Sequence, residues 1–186
     1  MTLTPAQISA ACGCTIMTAQ NWAEPINAAM GVFAIDSAER ASAFLAQVAH
    51  ESGRLRYVRE IWGPTPAQLR YEGRADLGNT EKGDGYRYRG RGLIQTTGRA
   101  NYRRTRDGLL KFLPLVPDFE ATPETLEIPK WAAYSAAWFW ADRGLNALAD
   151  SQNFMTITRR INGGTNGYDD RVALWAGAQT ALQGVA

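Results

Sequence analysis

Residues 53–92 carry eight of the chain's 18 glycines, at 53, 63, 73, 78, 83, 85, 90 and 92. No apolar period of a helix survives across that stretch, although helical patterning stands on both sides of it. The chain therefore has to build a mainly α body around a long, loop-rich insert. A loop region of this length inside a compact domain is either functional or disordered. Trp62, Tyr71, Tyr86 and Tyr88 lie within it, and that aromatic content argues against disorder.

Before the insert, Thr4-Pro5 reads as a cap with a first helical turn, and Gly13 as a stop. A second helix is expected over Thr18–Met30, bent or split at Pro25. Asp36 with Glu39 has the spacing of a capping box for a third helix. There Ala41, Phe44, Leu45 and Val48 form one apolar stripe. Tyr86–Gly92 reads as a short strand or hairpin arm. Helices are expected again from Thr97 or Gly98 to Lys111, over Lys130–Asp142 behind Pro129, over Asn153–Ile161 and over Tyr168–Gln183. A proline-punctuated loop covers Pro114–Pro129. No repeat or domain boundary interrupts the 186 residues, which predicts one domain over 1–186.

A net charge of +2 excludes a whole-surface polyanion binder, so no nucleic acid partner is expected. The arginines at 87, 89, 91, 99, 103, 104 and 106 are more pointed, because no acid falls between Tyr86 and Arg106. They could face an anionic polymer, or pair with Glu72, Asp76, Glu81 and Asp84. Cys12 and Cys14 read as two reduced thiols, since a disulfide across one residue is strained. One histidine rules out a multi-histidine metal site, and neither metal nor cofactor is expected. The N-terminus lacks a basic and apolar leader, so synthesis in the cytoplasm is expected. The apolar run Trp131–Ala141 is too short to cross a bilayer, so no stable membrane insertion is expected. Trp131, Tyr134, Trp138 and Phe139 share a helical period and read as core.

The chemistry concentrates around two glutamates. Glu51 lies three residues beyond Val48 and seven beyond Phe44, on the apolar face of the third helix. A carboxyl at the edge of such a face loses solvation, which favours a general acid. It could equally be a partly exposed helix-end glutamate paired with an arginine. Glu60 is the next acid, nine residues on. That length of non-helical chain easily spans the carboxyl separation of about 6.5–9.5 Å used by inverting glycosidases. Glu60 could instead be a surface ion pair, and Glu72 and Asp76 are rivals for the role. Gln95, Thr97 and Asn101 supply neutral groups suited to sugar hydroxyls and amides, although Thr97 could be only an N-cap. His50 abuts Glu51 and could support it or make a structural hydrogen bond.

Several segments, in order, resemble glycoside hydrolase family 19. They are His50-Glu51-Ser52-Gly53, Tyr57-Val58-Arg59-Glu60, Tyr88 to Thr97, Ala137-Trp138-Phe139-Trp140, Ile161-Asn162-Gly163-Gly164 and Asp170-Arg171-Val172. The matches run over about residues 40–180. Trp62 to Gln68 with Arg70 to Arg74 looks like the phage endolysin branch of that family. The resemblance implies a lysozyme-like α-helical fold and an inverting mechanism. Glu51 would be the general acid, Glu60 the general base, and Thr97 the residue whose hydroxyl helps hold the water. Gln95, Asn101, Tyr88, His50 and Arg171 would be substrate-binding or cleft residues, with Arg171 in the carboxylate network. Plant members space the two glutamates further apart and carry tyrosine, lysine and asparagine at the positions of Ala100, Tyr134 and Arg159.

The expectation is a monomeric endolysin that cleaves β-1,4 bonds of peptidoglycan glycan strands, with a separate membrane pore (a holin) giving access to the wall. A chitinase, a lytic transglycosylase and a catalytically silent wall-binding module are the alternatives.

Overall fold

The computed structural model describes residues 1–184. Helix α1 spans Pro5–Cys12 and α2 spans Ile16–Val32. Thr4 and Gln7 make the first cap a reciprocal box, and Gly13 closes the helix in the left-handed conformation, φ 63°. α2 runs unbroken through the buried Pro25, so of the two expected outcomes, a bend or a split, the split does not occur. Tertiary burial outweighs the one backbone bond that proline removes.

α3, Ala38–Glu51, is the central helix. Every residue from Ala41 to Ala49 is buried, not just the stripe Ala41, Phe44, Leu45 and Val48. The other positions are mostly small, which lets neighbouring helices approach on several sides. α3 packs most extensively on the C-terminal helix α10, Tyr168–Ala181, and also on α1. Its cap is Ser37, whose hydroxyl accepts from the Arg40 N–H at 3.3 Å. Asp36, expected in that role, instead pairs with the Arg40 guanidinium.

The insert contains two single turns of helix, α4 (Pro66–Leu69) and α5 (Asp84–Arg87), and a 3₁₀ turn at Ala75–Leu77. The expected strand at Tyr86–Gly92 is therefore part helical. What remains of the hairpin is two isolated antiparallel bridges, Arg59 with Arg91 and Arg91 with Thr96. Their bonds run Gly92 N to Val58 O at 2.9 Å, Glu60 N to Gly90 O at 2.8 Å and Thr96 N to Arg91 O at 2.8 Å. This small patch joins three otherwise irregular segments.

After the insert come α6 (Arg99–Leu109), a 3₁₀ turn (Pro123–Glu127), α7 (Pro129–Asp142), α8 (Leu145–Asp150) and α9 (Phe154–Asn162). α7 packs on α2 and α6. At the α6 contact a Cβ on Gly108 would lie 2.1 Å from the Trp138 indole nitrogen, so only glycine fits. α8 was not foreseen, because six residues after Gly144 are too few to show a period.

Candidate active site

Glu51 is the last residue of α3. Its Oε1 accepts from the Arg171 Nη2 at 2.5 Å, and Oε2 has no donor among the described residues. Arg171, 2% exposed, also donates to the Gln47 side chain, one turn back on α3. Gln47 in turn donates to Thr158 of α9 at 2.8 Å. The carboxyl is thus held by the α3–α10 packing rather than by an apolar wall: of the two readings of Glu51, the structure shows the helix-end glutamate paired with an arginine.

His50, beside it, donates to Asp170 at 2.6 Å. Asp170 also takes both Arg54 terminal nitrogens, at 2.9 and 2.6 Å. The Arg54 hydrogen bonds, with His50 adding to them, hold the Asp170 carboxyl down at about 2. The chain leaves α3 through Arg54 and Leu55, both left-handed with φ of 66° and 64°. Two consecutive non-glycine residues in that region are unusual, and such strain persists only where the surroundings impose it. Here Leu55 is anchored by Ser52 and by Trp22, which donates to its carbonyl at 3.1 Å. The strained turn redirects the chain toward Glu60.

Glu60 is held entirely by neutral donors. Gln68 and Tyr71 donate to Oε1 at 3.0 and 3.4 Å, and the Gly90 N–H donates to Oε2 at 3.0 Å. With its own N–H on the Gly90 carbonyl, Glu60 is fixed to the bridged patch at both backbone and side chain. Gln68 is 5% exposed and closes the capping box of α4 with Thr65, so one side chain both starts that helix and positions the carboxylate. Burial, and then the Glu60 charge, raise the Tyr71 hydroxyl above its ordinary range and keep it a donor. Glu60 lines a cavity of about 480 Å³ together with Arg56, Tyr57, Trp62, Tyr86 and Arg89.

Gln95, Thr97 and Asn101 share a second cavity of about 230 Å³ with Trp138 and Phe139. Thr97 is not an N-cap: α6 begins after Gly98, and the Thr97 hydroxyl donates to the Gln95 carbonyl at 2.9 Å. Its lone pairs stay free to accept. Gly90 lies between Glu60 of the first lining and Gln95 of the second. A Cβ there would lie 2.7 Å from Gln95 Oε1 and 3.4 Å from the Glu60 Cβ. Trp138 and Phe139, expected as core, therefore also furnish cavity wall.

Two expected substrate contacts, Tyr88 and His50, take other roles, while Arg171, expected in the carboxylate network, bonds the Glu51 carboxyl. Tyr88 is 1% exposed, and its hydroxyl donates to the Glu120 carbonyl, so it packs the interior and cannot meet a sugar. Arg171 is buried and positions Glu51. His50 bonds Asp170, with its ring packed against Gly167. Gln47, Gln68, Tyr71, Arg54 and Asp170 were missed as site residues. Gln68 left a trace in sequence through its capping-box spacing from Thr65, and Tyr71 and Asp170 stand inside segments that carry the family resemblance.

Five of the seven arginines of the arginine-rich segment make intramolecular ion pairs, although Arg87, Arg103 and Arg104 stay exposed. Arg99 pairs with Asp84, Glu81 and Glu120, Arg103 with Glu120, Arg104 with Asp142 and Arg106 with Asp107 and Asp118. Pairing with the insert's acids is thus real for Asp84 and Glu81, while Glu72 accepts from the Gly83 and Gly85 N–H groups and Asp76 pairs with Arg74. Among the described residues no cluster of three or more His, Cys, Asp or Glu side chains could hold a metal ion.

A central buried helix ending in a glutamate, with a second glutamate on a loop-rich arm facing cavities rich in polar and aromatic groups, defines a lysozyme-like glycan hydrolase. Solved structures agree in fold. A bacterial family 19 chitinase superposes with a TM-score of 0.72 over 97% of this chain and 94% of its own, at 20% identity. Chitinase C from Streptomyces griseus gives 0.71 over 96% and 91%, at 22% identity. In sequence, a glycosyl hydrolase family 19 domain-containing protein of Haemophilus influenzae is 33% identical, over 71% of this chain and 74% of its own length. An endochitinase of Arabidopsis thaliana is 37% identical over 66% of this chain and 39% of its own. No family model matches the chain. The chain belongs to glycoside hydrolase family 19.

Proposed function

We propose that this enzyme is an endolysin that hydrolyses the β-1,4 glycan strand of peptidoglycan with inversion of the anomeric carbon. Glu51 protonates the glycosidic oxygen through Oε2, because Oε1 is taken by Arg171. Glu60, held ready by Gln68, Tyr71 and Gly90, accepts a proton from the attacking water. Thr97, its own proton committed to Gln95, accepts the water's other hydrogen. One observation carries the reading. The two carboxylates stand on independently fixed supports, α3 and the bridged arm, each with its own defined donors. The enzyme would be made in the cytoplasm and reach the wall through a separate membrane pore, acting as a monomer.

The test uses purified peptidoglycan with Glu51→Gln and Glu60→Gln. Each substitution should lower kcat roughly 10²- to 10⁴-fold. The first product should carry the α-anomer by NMR, and mass spectrometry should find ordinary reducing ends. A Glu60→Gln enzyme that keeps most activity and releases anhydro-muramyl ends is a transglycosylase, and the proposal fails. A second reading, cleavage of chitin, is favoured by the relatives' chitinase names. Equal turnover of GlcNAc oligomers and no release from peptidoglycan would select it.

A further inference from the structure

The cavity beside Glu60 contains more positive charge than the catalytic proposal uses. Arg56, Arg59 and Arg89 line it, against the carboxylates of Glu60 and Glu127. Glu127 is already engaged by the Arg91 Nε at 2.7 Å and by Arg59 at 3.3 Å. Glu60 is satisfied by Gln68, Tyr71 and Gly90. Among the described residues neither Arg56 nor Arg89 has a carboxylate partner.

Arg89 is the more telling of the two, being only 7% exposed. One of its N–H groups donates to the Tyr86 carbonyl at 2.8 Å, and its guanidinium sits 4.1 Å over the Tyr86 ring. Burial, and then repulsion from Arg91, pull its ionisation below the ordinary arginine range. Burying a charge without an opposite charge is costly. The stack on Tyr86 also fixes the guanidinium plane, the arrangement that suits bidentate capture of a planar anion. Arg56 stands exposed on the same wall, 5.9 Å over Tyr57.

We propose that Arg89, with Arg56 at the rim, forms a carboxylate-recognition site that receives the acidic branch of the glycan in the cavity beside Glu60. The inference rests on the peptidoglycan reading, since a neutral GlcNAc polymer has no such group. In a wall glycan the carboxylate comes either from a bare lactyl ether or from the peptide stem attached to it. The site would set substrate choice and would place the branched sugar relative to the bond cleaved.

The test measures binding by calorimetry in a Glu51→Gln background, so that ligands survive. The ligands are a GlcNAc oligomer, a stem-free GlcNAc–MurNAc oligomer with free lactyl carboxylates, and a stem-bearing oligomer. At least one acidic ligand should bind about tenfold tighter than the neutral one. Which one does so tells lactyl from stem recognition. Arg89→Gln and Arg56→Gln should each abolish the preference and leave neutral-oligomer affinity within about twofold. Thermal melts check folding, and the exposed Arg56 decides the matter if Arg89→Gln does not fold. A parent without the preference, or a folded variant that keeps it, overturns the site. Hydrolysis of peptidoglycan is measured separately on the enzyme with Glu51 intact. Preference without hydrolysis overturns the function and leaves the site, whereas hydrolysis without preference does the reverse.

Discussion

Glu120 ties the post-insert loop to α6. Its carboxylate accepts from Arg103 at 2.7 and 2.8 Å and from Arg99 at 3.3 Å. Its backbone carbonyl receives the Tyr88 hydroxyl, so the same residue braces the segment leading to Gly90. The Arg103 hydrogen bonds, followed in effect by those of Arg99, bring the carboxyl from an ordinary 4.5 down to about 2. The side chain is 18% exposed, so the shift converts to a ceiling of about 3 kcal/mol at neutral pH. Arg103 is 54% exposed, and solvent screening there lowers the expected loss for Glu120→Gln to about 2 kcal/mol. Arg99 keeps Asp84 and Glu81, so the substitution strands no buried charge. The folded value is depressed, so the stabilisation is fully present above the unfolded value of 4.5 and disappears as pH falls toward about 2. By pH ~3 the gap between wild type and variant should shrink to less than half of its neutral value. Urea unfolding of both proteins at neutral pH and near pH ~3 measures it. A gap that stays constant or widens on acidification would refute the ion-pair origin.

Two further outcomes follow from packing. Gly167 has φ +69°, and a Cβ there would lie 2.4 Å from the His50 ring. Gly167→Ala should therefore cost about 1–3 kcal/mol and lower activity together with it, because His50 and Asp170 are displaced beside Glu51; an unchanged melting temperature contradicts this. Cys12 is fully buried, and desolvation, followed by the neighbouring Cys14, raises its thiol far above the usual range. A maleimide reagent under native conditions should modify Cys14 within minutes and Cys12 only at the rate of unfolding, and mass spectrometry of quenched samples separates the two.

The two carboxylates were legible because each sits in a local pattern. Glu51 follows a helix with a clear apolar period, and Glu60 opens a glycine-rich arm. Their supports were not legible in local spacing; only the resemblance put Arg171 in the carboxylate network. Gln47 and Arg171 are 124 positions apart, and His50 and Asp170 are 120 apart. Nothing in local spacing links such residues; packing of α10 on α3 brings them together. Tyr88 shows the opposite failure. The resemblance put it at the substrate, yet it is buried with its hydroxyl on the Glu120 carbonyl.

Local physics in the sequence determines the mainly α body, most helix ends and the position of the insert, because capping, proline and glycine effects act within a few residues. The tertiary structure alone decides which charges meet. It ties most of the arginine-rich segment into internal pairs, puts Arg171 rather than an apolar wall on Glu51, surrounds Glu60 with neutral donors and leaves Arg89 without an acid among the described residues. Electrostatic interactions depend on distance and burial, and both are set by chain segments that fold onto one another from far apart in the sequence.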